Sequence, residues 1–206
     1  MQGLIGKKIG MTRICVETTG EMIPVTVIQT GENIVLQQKT EKLDGYSAVQ
    51  LGFYSVSGKN QSKAEIGHAK KYGSEPVRYV REFALEAGEE VEAGQKIGAA
   101  NFAASRFVDV AGTIKGRGFA GTVKKYNFRI GRATHGNTNR RDRGSLGAGT
   151  YPARVFPGQR MPGQYGNVNV SVKNLKVVKV DVERNLIFVK GAVPGPKNGL
   201  IKVRKA

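Results

Sequence analysis

The chain has 206 residues, 39% hydrophobic and 24% charged, a formal net charge of +17 and a single cysteine, Cys15. That is enough for one domain with a real core, or one domain carrying an insertion, and it excludes a disordered polymer. No apolar run approaches the ~18 residues of a transmembrane helix, and one cysteine allows neither an internal disulfide nor a CxxC zinc site. The opening MQGLIGKKIGMTRI has no secretory apolar segment and no transit-peptide pattern, so it reads as a mature cytosolic or organelle-internal chain.

In chain order, MIPVTVIQT, NIVLQQKT and GYSAVQLGFY have the length and composition of short strands. Ser62 with Glu65 three residues on predicts a capped helix that places Ile66 and Ala69 on one side and stops at Gly73. Strand-like patterns return over Val77 to Ala84, over Glu90 to Ile97 and in VDVAGTIK. Near the C-terminus Val168, Val170 and Val172 alternate with polar residues, and a turn around Glu183 to Asn185 leads into LIFVKG, which predicts a hairpin. The expected fold is mainly β.

The charge is segregated. Residues 1–111 hold 13 basic and 13 acidic residues, residues 112–164 hold 11 and 1, and residues 165–206 hold 9 and 2. A segment so uncompensated repels itself unless a polyanion neutralises it. From about Arg129 to Gly166 no period of 2 or 3.6 persists, and structureless stretches of that length are usually functional. Doubled back as an arm, the segment has an upper bound of reach on the order of 60 Å.

The candidate RNA contacts are Lys115, Arg117, Lys124, Lys125, Arg129, Arg132, His135, Asn137, Asn139, Arg140, Arg141, Arg143, Arg154, Gln159 and Arg160. Arginine forks suit bidentate phosphate contacts and base stacking, asparagine and glutamine add neutral donors, and His135 opens the arm either as a contact or as a turn residue before Gly136. Tyr126, Phe128, Tyr151 and Phe156 are interleaved, the first two expected to pack the base of the arm. Such a mixture suits folded RNA better than duplex DNA, since neither a recognition helix nor a zinc finger is visible.

Other chemistry is poorly supported. Gly116, Gly118 and Gly121 in GRGFAG match GxGxxG, but the ribose-binding acid of a dinucleotide fold is missing and Asp142 is the only nearby carboxylate. The alternative is a strand-to-helix turn in which Phe119, Val123 and Tyr126 form an apolar stripe and free backbone N–H groups beside Lys115 and Arg117 seat a phosphate. His68 reads as a packed or surface residue; no metal spacing and no nucleophile with a base is present, so no cofactor and no enzyme activity are expected. The competing readings are a free RNA chaperone or assembly factor and, more weakly, a dinucleotide-binding enzyme.

GLIGKKIGMTRI, GTIKGRGFAGTVKKYNF, ATHGN, GSLGAGTYPARVF, RMPGQYGN and RNLIFVKGAVPGPKNGL together resemble the family of large-subunit ribosomal protein three, bacterial type, along the whole chain. The resemblance implies a translation-protein-type β-barrel with an α+β insertion and a long basic loop threading rRNA towards the peptidyl transferase centre. It further implies a role in early assembly, ribosomal proteins fourteen and nineteen as neighbours, and a place in the cytoplasmic ribosome or an organelle's. No membrane and no homo-oligomer are expected. On this reading one rRNA-binding domain has a body from 1–52 and 167–206 plus strands near 106–114, an inserted portion at 53–105 and an extension at 115–166. The tip departs from the family pattern: Thr150 replaces a glutamine that is methylated in some members, Arg140 a common histidine, Arg143 a proline, and Pro157 to Met161 a lysine-rich KGKKM.

Overall fold

A computed structural model describes residues 2–15, 20–57, 61–85, 89 and 91–206. It divides into two units, a body of Met1–Ile114 with Asn169–Ala206 and an arm of Lys115–Val168. Glu90, where one strand was expected to begin, lies outside the described residues. No helix among the described residues is long and apolar enough to cross a membrane.

In chain order the body's strands are β1 (Gly3–Cys15), β2 (Met22–Gln29), β3 (Asn33–Lys39), β4 (Ala48–Ser55), β5 (Val77–Ala84), β6 (Lys96–Ile97), β7 (Phe107–Thr113), β10 (Asn169–Asp181), β11 (Leu186–Lys190) and β12 (Leu200–Lys205). Those of the arm are β8 (Phe119–Ala120) and β9 (Gly163–Gln164). Six body strands pair antiparallel in the order β1-β12-β7-β10-β11-β2, and β2 pairs back on β1, so the sheet is ring-like. The fold is mainly β, as the strand-like segments predict. β7 and β10 are neighbours, with Thr113 opposite Asn169 and the Thr113 hydroxyl 2.7 Å from the Asn169 side-chain oxygen. The chain therefore leaves the ring and re-enters it at adjacent points.

The other four strands form a second antiparallel sheet, β5-β4-β3-β6. β3 and β4 belong to this sheet, which starts at Asn33, upstream of the residue 53 at which the inserted portion was expected to begin. Composition could not separate these strands from a ring strand such as β2, because all three are seven or eight residues long and largely apolar and only long-range pairing assigns them. α2 (Lys63–Lys71) bridges β4 and β5 in sequence, and Ser62 and Glu65 form the predicted reciprocal capping box. A shorter helix, α1 (Glu41–Asp44), turns β3 into β4 and ends on Gly45 in the left-handed region.

One apolar core runs through both sheets. Leu4, Ile5, Ile28, Val108, Ile187, Ile201 and Val203 of the ring cluster with Val35, Val49, Leu51 and Phe83 of the second sheet and with Phe102 from the 3-10 turn Ala99–Phe102. The side chain of Asn33 ties the sheets together. β1 pairs with β12 over Gly3–Lys7 and with β2 only from Lys7 onward, which leaves Ile5 without a strand neighbour on the β2 side. The fully buried Asn33 carboxamide fills that gap: it accepts from the Ile5 N–H at 3.1 Å and donates to the Ile5 and Thr30 carbonyls at 3.0 and 2.8 Å. On the edge of the second sheet, Lys39 donates to Tyr46 Oη at 2.6 Å and pairs with Glu82 at 3.0 Å, and Tyr46 donates to Glu82 at 2.9 Å. The hydrogen bond from Lys39 holds the Glu82 carboxyl below its ordinary range.

Candidate nucleic-acid interface

The base of the arm is a short antiparallel ladder. Phe119 and Ala120 of β8 face Gln164 and Gly163 of β9, the Arg117 N–H donates to the Tyr165 carbonyl at 2.8 Å, and the Tyr165 N–H donates to Gly118 at 2.9 Å. Gly166 follows in the left-handed region, and a Cβ there would collide with the Lys115 carbonyl oxygen. Gly116 and Gly118 thus belong to a hairpin base, and Gly121 caps the short helix that follows, rather than forming a dinucleotide turn.

Two expectations for this stretch are corrected. Phe119 lies in β8 and is 79% exposed, so it forms no stripe with Val123 and Tyr126, and the helix α3 (Thr122–Tyr126) is a single short turn. Nor is the Arg117 N–H free for a phosphate, because Tyr165 takes it. GRGFAG does lead from strand into helix, with Gly121 as the N-cap of α3, but the pairing of Phe119 and Ala120 with the strand 163–164, far along the chain, takes Phe119 out of the helix. The Arg117 guanidinium lies 5.1 Å from the Tyr165 ring centroid and presents its charge outward from the base.

Above the base the side chains organise the backbone. Tyr126 and Phe128 meet at 6.1 Å between centroids, and Lys125 and Arg160 stand 5.0 and 5.6 Å from the Tyr126 ring. These two aromatics and two cations form one cluster within the arm. The bend from Arg129 to Gly144 is then closed by the Gly131 N–H donating to the Arg140 carbonyl at 2.9 Å. The approach is so tight that a Cβ on Gly131 would stand 2.6 Å from the Asn139 carbonyl oxygen. His135 and Gly136 both take positive φ at the turn, so His135 has the turn role while remaining exposed. Asn137 staples the bend: its amide donates to the Arg132 carbonyl at 2.7 Å and its oxygen accepts from the Asn139 N–H at 3.2 Å. The Arg140 guanidinium donates to the Ala133 carbonyl, and Arg143 Nε donates to the Arg160 carbonyl at 2.7 Å.

The sequence-predicted contacts therefore divide by role. Asn137, Arg140 and Arg143 spend donors on the arm's own backbone. Lys115, Lys124, Arg129, Arg132, Asn139, Arg141, Arg154 and Gln159 are exposed, and among the described residues no arm cation is ion-paired with a carboxylate. Arg129, Arg132, Asn139 and Arg143 are brought together around one open hollow. Tyr151 and Phe156 are 87% and 59% exposed and offer largely open ring faces. Such a surface, rich in unpaired charge and exposed rings on a self-braced scaffold, can neutralise phosphates and stack on unpaired bases.

A second basic strip lies on the body and was not among the expected residues. Lys173, Lys176 and Lys179 are spaced by three, which does not read as one face of a strand. Register shifts between Val172 and Leu175 and between Val177 and Lys179 realign them, so that all three stand exposed on the outer face of β10. Lys176 faces Phe107, whose partly exposed ring lies 5.4 Å from the Arg106 guanidinium. The excess of basic residues over 165–206 was the available signal, but the bulges that give it a face are invisible in sequence.

The family model described as ribosomal protein L3 matches residues 53–183. The large ribosomal subunit protein uL3 of Pelotomaculum thermopropionicum is 51% identical over 205 residues, covering 100% of this chain and 97% of that protein. That of Pelobacter propionicus is 48% identical over 205 residues, covering 100% and 98%. That of Petrotoga mobilis is 46% identical over 206 residues, covering 100% and 96%. A family match over most of the chain and about half of all positions identical across full-length relatives make this chain a member of the ribosomal protein L3 family.

Proposed function

We propose that the chain is a structural constituent of the large ribosomal subunit that binds large-subunit rRNA, takes part in early assembly and extends its arm towards the peptidyl transferase centre. It is a structural protein of translation and not an enzyme. The ring-like sheet serves as the translation-protein-type β-barrel of the family, and ribosomal proteins fourteen and nineteen are the expected neighbours. The observation that carries the reading is the set of exposed, unpaired arm cations held on a backbone that the arm's own side chains brace. A charged surface of this kind is costly alone and is relieved by a phosphate backbone.

The test is a variant in which Ala133 to Pro157 is replaced by a short glycine linker. The body keeps its strands and core and should fold, and the basic base at Lys124 and Lys125 should still carry it into large subunits. Subunits containing it should be impaired in peptide-bond formation or altered in their response to antibiotics bound at that centre. Full incorporation with unchanged activity and antibiotic response would remove the functional role of the tip. Release of the unaltered protein from subunits in a high-salt sucrose gradient would favour a transient assembly factor instead.

A further inference from the structure

The arm has one carboxylate, and its position is informative. Asp142 is the only acidic residue among positions 112–164, it is exposed, and it lines the open hollow of about 720 Å³ that Arg129, Arg132, Asn139 and Arg143 also line. A surface built only to hold phosphates gains nothing from a carboxylate, which repels them. Among the described residues Asp142 is not ion-paired, although Arg141 and Arg143 flank it in sequence. Arg143 has its Nε committed to the Arg160 carbonyl and its Nη1 closed off from solvent, which leaves Nη2, without a hydrogen-bond partner among the described residues, as the donor a ligand can reach. An ionised carboxylate only accepts and a guanidinium only donates. The hollow thus presents an acceptor and an unsatisfied donor on consecutive residues, with two further arginines beside them.

We propose that this hollow takes one unpaired guanine of the RNA, an assignment that rests on the arm being an RNA-binding element. Among the four bases, guanine alone presents two adjacent donors, N1–H and N2–H, next to an acceptor, O6. The two donors match the two oxygens of Asp142, and O6 matches Nη2 of Arg143. Arg129 and Arg132 then hold the adjoining phosphates. The base must be unpaired, because this edge is the one used in Watson–Crick pairing, and single-stranded bases are those that proteins read by that edge. Asn137 and Arg140 are positioning residues: they shape the bend and do not touch the base.

The experiment measures fluorescence anisotropy of the full-length protein with a short oligouridylate and with the same oligonucleotide carrying a central guanine, inosine or adenine, at fixed salt. Guanine should bind about tenfold tighter than adenine, in line with a bidentate base contact, and inosine, which lacks the N2 amine, should fall between. Asp142→Ala should abolish the preference while tightening binding to plain oligouridylate, because a repelling charge is gone. A carboxylate that only tunes the net charge would change all four affinities alike. Equal affinity of the unaltered protein for all four oligonucleotides, with a steep salt dependence, would overturn the guanine site and leave the RNA-binding arm intact. A preference that disappears when magnesium is removed would assign Asp142 to a cation and overturn it as well. Failure to bind any of them would overturn both readings.

Discussion

In the body, backbone polar groups are satisfied by neighbouring strands, which leaves side chains free to build an apolar interior: Leu4, Ile28, Phe102, Val108 and Ile201 are essentially inaccessible. In the arm the roles are exchanged. Among its described residues Ala120 is the only buried hydrophobic one, and Asn137, Arg140 and Arg143 supply backbone hydrogen bonds that strands would otherwise provide. Burial of apolar surface is the dominant favourable term in folding, so the body carries the stability of the chain while the arm carries shape and charge. A region shaped by individual side chains can change its surface one residue at a time; a region shaped by a shared core cannot.

The strongest way to break this contrast is to truncate one aromatic in each region. Phe83→Ala opens a cavity where the two sheets meet and should cost about 3–5 kcal/mol, whereas Phe156→Ala at the exposed tip should cost less than about 0.5 kcal/mol. Urea denaturation followed by circular dichroism measures both, and equal losses would mean that the arm shares the core. A finer comparison sets the two asparagine staples side by side. Asn33→Ala leaves buried Ile5 groups unsatisfied and should cost about 1–3 kcal/mol, while Asn137→Ala should leave the urea midpoint in place and weaken RNA binding. If both variants shifted the midpoint alike, the division of labour would fail.

Within the arm, Arg141→Ala removes an exposed charge and should make the plot of log affinity for rRNA against log salt shallower by about one unit. Arg140→Ala removes a brace, so it should chiefly speed proteolytic cleavage between residues 130 and 143. Interchangeable effects would show that Arg140 is an ordinary phosphate contact. The smallest effect belongs to the body's edge. Because Lys39 lowers the Glu82 carboxyl in the folded state, this pair contributes stability above the ordinary carboxylate range and loses it as pH falls through the lowered value. Glu82→Gln should flatten that acid limb of stability slightly and only at low salt, since the pair is exposed. An unchanged acid limb would assign the pH dependence to other carboxylates.

What could be read from sequence was what is locally encoded. The Ser62 and Glu65 capping box, the strand Val77–Ala84, and the turn between β10 and β11 rest on neighbours a few residues apart, and they stand where their patterns place them. The pairing of β1 with β12, the placement of β3 and β4 in the second sheet, and the strand role of Phe119 each depend on a partner far along the chain. The basic character of the arm was legible in its composition. Which of its arginines spend donors on the backbone was not, because Arg140 and Arg143 differ from Arg141 only in the carbonyls they meet. Lys173, Lys176 and Lys179 were obscured for a related reason: two bulges shift their phase.

The seam of the ring places Gly3 opposite Arg204. The two strands that lie farthest apart in the chain are therefore side by side, while the arm leaves and returns at another neighbouring pair, β7 and β10. A short peptide joining β1 to β12, combined with a cut at the arm's tip, would permute the chain without removing a single rung of the ring. The protein could then be made with the tip as its two free ends, so that probes or cross-linkers could be attached there while the seam became an ordinary loop.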